Sequence, residues 1–301
     1  MPTDERHPII FGEVLFDVYP DGTEILGGAP FNVAWHLQAF GAKPLMVSRV
    51  GADERGERIR RRMENWGMIT DGIGLDPKNA TGIVQVSYDD NHQPHYDIIP
   101  EQAFDFIDGG KSVRLLNRYS PSLLYHGTLA VRTESARYAL AQWRDTAEYP
   151  VFIDVNLREP WWELAAVRGL LSAGTWIKLN ADELFRLETG NPTVEDALKD
   201  FAGKFPADFV VVTEGDKGAF ARRQGENIRP ENPPPTVEVI DTVGAGDAFA
   251  SVMILGILNG WPLPTSLTRA GKFAAEVCRR KGATSDDREL YAPFLAEWNL
   301  D

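Results

Sequence analysis

Apolar residues along the chain gather into short β-branched runs, and these alternate with amphipathic stretches over most of its length. Ile9 to Phe16 predicts a strand, followed by turn chemistry at Pro20, Asp21 and Gly22. Pro30 to Phe40 predicts a helix, with proline in its first turn and Gly41 just past its end. Leu45 to Val50 predicts a strand, and Glu54 to Trp66 a helix stopped by Gly67. Leu123 to His126, Val151 to Asp154, Thr175 to Leu179 and Phe209 to Thr213 read as further strands. Helical periodicity occupies 133–147, 160–171, 181–189 and 193–203, and later 246–259 and 264–280. This alternation predicts an α/β fold with a central, mostly parallel sheet flanked by helices on both faces.

Two segments break the rhythm. Asp17 to Leu26 and Gly82 to Ile99 read as extended, the second with a hairpin turn at Asp89, Asp90 and Asn91. Together they predict a small β-flap beside the main sheet. There is no internal repeat, and Pro233, Pro234 and Pro235 read as a stiff connector into a final strand, loop and helix. Residues 1–301 are therefore expected to form one domain.

Composition narrows the function classes. The 301 residues are 43% hydrophobic and 25% charged, enough apolar content to bury a large core. A net charge of −13 argues against nucleic acid or an anionic membrane surface as partner. Cys278 is the one cysteine, which rules out an intrachain disulfide and a cysteine-based zinc site. The N-terminal MPTDERHP lacks an apolar signal core, and the most apolar run, Ala248 to Leu258, is short of the ~20 residues that span a bilayer. The expected setting is the cytoplasm.

The chemistry concentrates in residues 241–247, DTVGAGD, which lead straight into an apolar helical run. Gly244 and Gly246 allow main-chain amides to converge on an anion, and the helix start adds its positive end. Asp247 would sit beside that anion, where a carboxylate can accept a proton from an attacking hydroxyl. Read alone, Asp247 is more readily a helix cap. Six specified residues in seven, however, arise by chance in roughly one chain of this length in 10⁵. The heptad resembles the DTxGAGD signature of the ribokinase-like (PfkB) family of sugar kinases. No Walker A pattern and no kinase HRD/DFG pair occurs.

Other segments are similar to the same family in the same order, each with a plainer alternative that the residues leave open. GGAPFNVAWHLQAFG from Gly27 is a glycine pair, an asparagine and a helix, or simply a tight turn into a helix. NADE at 180–183 pairs Asn180 with Glu183 on one side of a helix start, or forms an N-terminal capping box. TEGDKG at 213–218 is a turn between strands that could also meet phosphates. DVNLR at 154–158 brings Arg158 to a strand end, for a phosphoryl group or for a salt bridge with Asp154 or Glu159. RKGATSD at 280–286 resembles a loop beside the anion loop.

The resemblance implies a ribokinase-like fold with a small β-lid formed by residues 14–26 and 82–99. It implies an enzyme that transfers the γ-phosphoryl group of ATP to a primary hydroxyl of a small sugar. Asp247 would be the base, with Gly244, Ala245, Gly246 and Arg158 stabilising charge. Asp17, Gly27, Gly28 and Asn32 would bind sugar, and Asn180, Thr213, Gly215, Gly218 and Thr242 the nucleotide. Asn180 and Glu183 would organise Mg²⁺ mainly through water, and Asp241 with the Val243 backbone a monovalent cation such as K⁺. A homodimer through the lid is a further expectation.

The glycine pair and DVNLR are most similar to the fructokinase branch, with 2-keto-3-deoxygluconate next and ribose or a nucleoside third. Residues 82–99 contain no Lys or Arg, which disfavours a sugar acid, although Arg158 or Arg132 could supply charge. The reading from another class is a non-catalytic sugar or nucleotide sensor, against which an intact Asp247, Asn180 and Glu183 argue.

Remaining features read as ordinary surface or packing. His92 and His95 flank the flap turn without a third ligand. Arg58 to Arg62 is a basic helix face expected to be solvated, Trp161 and Trp162 read as core or interface, and Cys278 as inert packing.

Overall fold

The computed structural model describes residues 5–89, 94–146 and 148–300. Asp90, Asn91 and His92 lie outside the described residues, so the expected turn and the His92–His95 pair are not described. Nine strands form one sheet. From one edge to the other they are Glu226–Ile228, Ala219–Arg223, Phe209–Thr213, Trp176–Asn180, Val151–Asp154, Ser120–Gly127, Arg6–Phe11, Leu45–Gly51 and Ile73–Asp76. The seven from Phe209–Thr213 onward pair in parallel, and the two at the first edge are antiparallel. Successive side chains enter opposite layers: Ile10 and Val211 face one core, whereas Ile9, Phe11, Val210 and Val212 face the other. Helices Ala29–Ala39, Glu54–Trp66, Ala245–Leu258 and Leu263–Val277 fill the first layer. Glu134–Thr146, Leu164–Leu171, Ala181–Leu187 and Val194–Ala202 fill the second.

A second sheet of four strands has the order Glu24–Gly27, Leu15–Val18, Gly82–Tyr88, Pro94–Ile98. Its middle pair is parallel and its outer pairs antiparallel. Cross-strand register puts Asp17 opposite Val84, which is opposite Ile98. One face of this sheet thus carries Leu15, Asp17, Val84 and Ile98 toward Phe104, Leu129 and Trp161. The other face carries Phe16 and Leu26 toward the helix layer.

Several sequence expectations need correction. Ile9 to Phe16 is not one strand: the chain breaks after Phe11 and resumes at Leu15 in the second sheet. Gly12 makes the break at φ +148, where a Cβ would stand 2.5 Å from the Pro30 ring. The helix expected from 160 begins at Leu164, after a turn. Among the described residues, no strand lies between Ile228 and the DTVGAGD loop. The prolines at 233–235 remove ladder donors, and the Ile240 and Asp241 amides donate instead to the Cys278 carbonyl at a helix end (2.8 and 3.2 Å). The helix Glu54–Trp66 starts and stops as predicted, capped by the Asp53 carboxylate and closed by Gly67 at φ +81.

Candidate active site

The helix Ala245–Leu258 begins at Gly244, which lies at φ +81 and receives no side-chain cap. A Cβ on Gly244 would stand 2.3 Å from the Ala283 Cβ, so only glycine lets the loop lie this close to residues 280–286. The Ala245 amide turns back to the Thr242 carbonyl at 3.2 Å. Among the described residues, the Gly246 and Asp247 amides have no hydrogen-bond partner. They lie at the positive end of a 14-residue helix, an arrangement suited to an anion. Asp241 braces the loop: its Oδ1 accepts from the Val243 amide and its Oδ2 from the Gly282 amide, both at 3.0 Å. Beside it, Val239, Ile240 and Val243 are 57%, 66% and 43% exposed, an apolar strip open to solvent.

Asp247 does not cap its own helix. Its Oδ2 accepts a 2.8 Å hydrogen bond from Asn32 Nδ2, on the helix that follows Gly27 and Gly28. Asn32 is buried, and its Oδ1 has no partner. Burial pushes the Asp247 carboxyl up to about 7, against the Asn32 hydrogen bond; Asp154 adds to the rise, while Lys178 and Arg158 oppose it. A group near neutrality at the mouth of an anion loop can exchange a proton with a bound hydroxyl.

A second acid lies close by. Glu13 is 2% exposed, with Oε2 unpartnered, and burial together with the Asp247 charge lifts it to about 7. Gly28, at φ +106, packs on the Glu13 carbonyl, which a Cβ would approach to 2.7 Å. Asp17 is half-buried on the face of the small sheet that also carries Leu15 and Val84, and burial raises its carboxyl to about 6 against the pull of Arg158. The Gly27 Cβ position is 3.8 Å from Asp17 Oδ2, an ordinary contact distance that sets this glycine beside the carboxylate. Arg158 is exposed and acts electrostatically on Glu13, Asp17 and Asp247 together.

Behind the loop lies an ion pair that the sequence reading missed. Lys178 Nζ donates to Asp154 Oδ1 at 2.7 Å, with both side chains 6% exposed. The Lys178 ammonium is 3.6 Å from where a Gly246 Cβ would be. Burial disfavours its charge, but the carboxylate outweighs this and holds the Lys178 pKa above its usual range. A lysine inside the apolar strand WIKLN, like a glutamate inside FGEVLF, was the available signal.

The remaining residues fall in two groups. Asn180 and Glu183 form the capping box: Asn180 Oδ1 accepts from the Glu183 amide and Glu183 Oε2 from the Asn180 amide. Glu183 Oε1 also accepts from the Leu157 amide, which ties the DVNLR loop to the same helix start. Thr213 ends its strand opposite Ala219, and the segment between is a tight turn with Gly215 at φ +60 and Gly218 at φ +91. The structure thus gathers Asp17, Gly28, Asn32, Arg158 and Asp247 around the anion loop. It sets Asn180, Glu183 and Thr213 at neighbouring strand ends of the same sheet. No helix among the described residues is long and apolar enough to cross a membrane.

Comparison with known proteins identifies the family and the fold. The sequence model of the pfkB family carbohydrate kinase matches residues 11–289. Fructokinase-2 of Oryza sativa subsp. japonica is 27% identical over 278 residues, covering 83% of this chain and 79% of the relative. Two solved structures share the fold. Fructokinase from Vibrio cholerae O395, in fructose, ADP and calcium ion bound form, superposes with TM-score 0.79 at 24% identity, covering 96% of this chain and 99% of that one. Fructokinase from Xylella fastidiosa with bound ATP gives TM-score 0.82 at 20% identity, covering 98% and 99%. The chain belongs to the pfkB family of carbohydrate kinases, enzymes that transfer a phosphoryl group to a sugar hydroxyl.

Proposed function

We propose that this kinase phosphorylates fructose at a primary hydroxyl, with ATP as donor and Asp247 as the base. The observation that carries the reading is Asp247 turned inward onto Asn32, beside the unpartnered amides of Gly246 and Asp247. In the step, the sugar oxygen attacks the γ-phosphorus and its proton passes to Asp247. The bond to the bridging oxygen breaks, and ADP leaves with that electron pair. The Gly244–Gly246 amides and Arg158 hold the negative charge that spreads over the phosphoryl oxygens. Thr213, Gly215, Gly218 and Thr242 would line the phosphates. The exposed strip Val239, Ile240 and Val243 would offer apolar surface to the nucleotide base.

Asp17 and Asn32 would bind sugar hydroxyls, with Gly27 and Gly28 letting the ring lie against main chain. The unpartnered Asn32 Oδ1 supports this, because a buried acceptor without a partner costs about 1–3 kcal/mol until a hydroxyl fills it. The small sheet would act as a lid over the sugar and exclude water as a competing acceptor. Fructose is favoured by the relatives' activities and by the absence of Lys and Arg from the face expected to cover the sugar. The alternatives are 2-keto-3-deoxygluconate, and ribose or a nucleoside.

The donor set fits a hydrated divalent ion. Both Glu183 oxygens already accept from backbone amides, and no cluster of three acidic or histidine side chains forms a cage among the described residues. Asn180 and Glu183 would therefore meet Mg²⁺ through water, with the nucleotide phosphates as its main ligands. When bound, the ion would neutralise charge on those phosphates. Asp241 and the Val243 carbonyl would place K⁺ beside the anion loop. The strand Pro94–Ile98, at an edge of the small sheet, would pair with a second copy in a homodimer. A cytoplasmic setting, where ATP is available, completes the reading.

The test is ADP release with fructose, 2-keto-3-deoxygluconate, ribose and adenosine, for wild type and Asp247→Ala. The variant should lose roughly 10²–10⁴-fold in kcat while sugar binding by calorimetry changes little. Sugar binding by wild type without ADP release from any of the four would instead establish a sensor.

A further inference from the structure

The basic face Arg58 to Arg62, expected to be merely solvated, instead borders a built cleft on the side of the small sheet away from Asp17. The cleft has a volume of about 590 Å³ and is lined by Arg58, Arg61, Arg62 and Arg288 among others. Helical spacing explains the first three, since positions 58, 61 and 62 share one face of the helix Glu54–Trp66. Arg288 comes from the far end of the chain.

The floor of the cleft is rigid. Trp35 and Trp66 stack at 4.7 Å with their planes 4° apart, and the Trp35 indole N–H is fixed to the Ser285 carbonyl at 2.9 Å. Guanidinium groups lie over these rings, Arg62 over Trp35 at 5.3 Å and Arg288 over Trp66 at 4.4 Å. Such stacking orients an Arg fork, and the one further bond from Arg288, its Nη2 to the Trp66 carbonyl at 3.4 Å, leaves most of its N–H edge open.

Charge in the cleft is unbalanced. Four guanidinium groups face two lining carboxylates, Glu24 and Asp286, in a chain whose net charge is −13. Glu24 is shared between Arg55 and Arg58. Asp286 pairs with Arg62 at 3.0 Å but is 61% exposed, so the bond is weak, and the buried Arg62 Nε has no partner. Among the described residues, neither Arg61 nor Arg288 has a carboxylate within ion-pair distance. Repulsion among four cations is relieved most directly by an oxyanion that bridges several forks.

We propose that this cleft is a binding site for a small phosphate-bearing dianion, separate from the catalytic anion loop. Arg61 and Arg288 would grip the phosphate, with Arg58 and Arg62 adding positive charge to the cleft wall. The stacked indoles would serve as a platform for the guanidinium groups, since their faces are already covered. Glu24 would compete with the ligand for Arg58.

The test is calorimetric titration at low ionic strength, with the chain held saturated in fructose and a non-hydrolysable ATP analogue so that the catalytic loop and the sugar site are filled. Glycerol 3-phosphate and inorganic phosphate are the two probes, and comparing them separates a phosphomonoester site from a free-phosphate site. Wild type should bind at one equivalent. Arg61→Ala/Arg288→Ala should bind at least tenfold more weakly with unchanged kcat for sugar phosphorylation. Arg61→Ala alone, at an exposed position, should weaken binding severalfold, and Glu24→Gln should tighten it. Arg222→Ala/Arg223→Ala, an equal loss of charge on another edge of the fold, should leave affinity as in wild type. The proposal is overturned by equal affinity in wild type and Arg61→Ala/Arg288→Ala, by an equal loss in the distant double variant, or by no saturable binding of either probe up to 10 mM.

Discussion

Asn32 and Asp247 are 215 positions apart in the chain, yet Asn32 Nδ2 donates to Asp247 Oδ2 across 2.8 Å. The bond joins the first helix of the fold to the anion loop, so the group that would hold sugar also orients the group that would deprotonate it. It also favours the charged carboxylate, against the burial that raises its pKa to about 7.

A pH profile follows from that balance. Asp247 accepts a proton only as the anion, so kcat/KM for the sugar should fall about tenfold per pH unit below roughly 7 and level off above. Glu13 and Asp154 facing the site push the midpoint up, and Lys178 and Arg158 pull it down. Asn32→Ala removes a donor to the anion and should move the midpoint to higher pH. A profile flat from pH 5.5 to 8 contradicts the assignment.

The same raised pKa predicts a stability effect of opposite sense to the loss of activity. Between the ordinary value of 3.8 and about 7, the folded chain holds the Asp247 proton that the unfolded chain has released. Stability from this group is therefore present at low pH and lost as pH rises to about 7. Asp247→Asn should melt higher than wild type at pH 8, by about 2 °C or more, and the gap should close near pH 4. Calorimetry at the two pH values checks both halves.

Asp17 makes a separable prediction. Its carboxylate would face the sugar and not the nucleotide, so Asp17→Asn should raise the sugar KM by about tenfold or more and leave the KM for ATP near wild type. Steady-state kinetics with each substrate varied in turn decides it. An equal rise in both would place Asp17 outside the sugar site.

Lys178→Met should destabilise the fold by about 3–5 kcal/mol, because it leaves the buried Asp154 carboxylate alone. Adding Asp154→Leu should restore much of that loss, as both buried charges are then gone. Denaturant melts of the single and double variants measure the coupling. The double variant should still phosphorylate slowly, since the ammonium beside Gly246 is missing.

How much of this was legible in the sequence depends on distance along the chain. The anion loop is a contiguous heptad, and its glycines declare themselves. The bounds of Glu54–Trp66 were readable from Asp53 and Gly67 because caps act locally. The Lys178–Asp154 pair joins neighbouring strands 24 residues apart, and nothing in either segment names its partner. The arginine cleft needed Arg288 to meet a helix more than two hundred positions earlier. Glu13 stood out among its apolar neighbours, but nothing local tied it to Asp247, and the apolar residues on both sides of Gly12 masked the break after Phe11. A proline-rich approach to the loop read as a strand because Thr236 to Ile240 alternates like one, yet it has no strand beside it to pair with.

The chain passes between the two sheets four times, at Gly12, Glu13 and Val14, at Gly28, at 77–81 and after Ile98. One of these crossings, 12–14, contains an acid with a free oxygen buried beside Asp247. A swing of the smaller layer that bends this crossing would change the surroundings of that acid in the same stroke, coupling its proton affinity to the angle between the sheets.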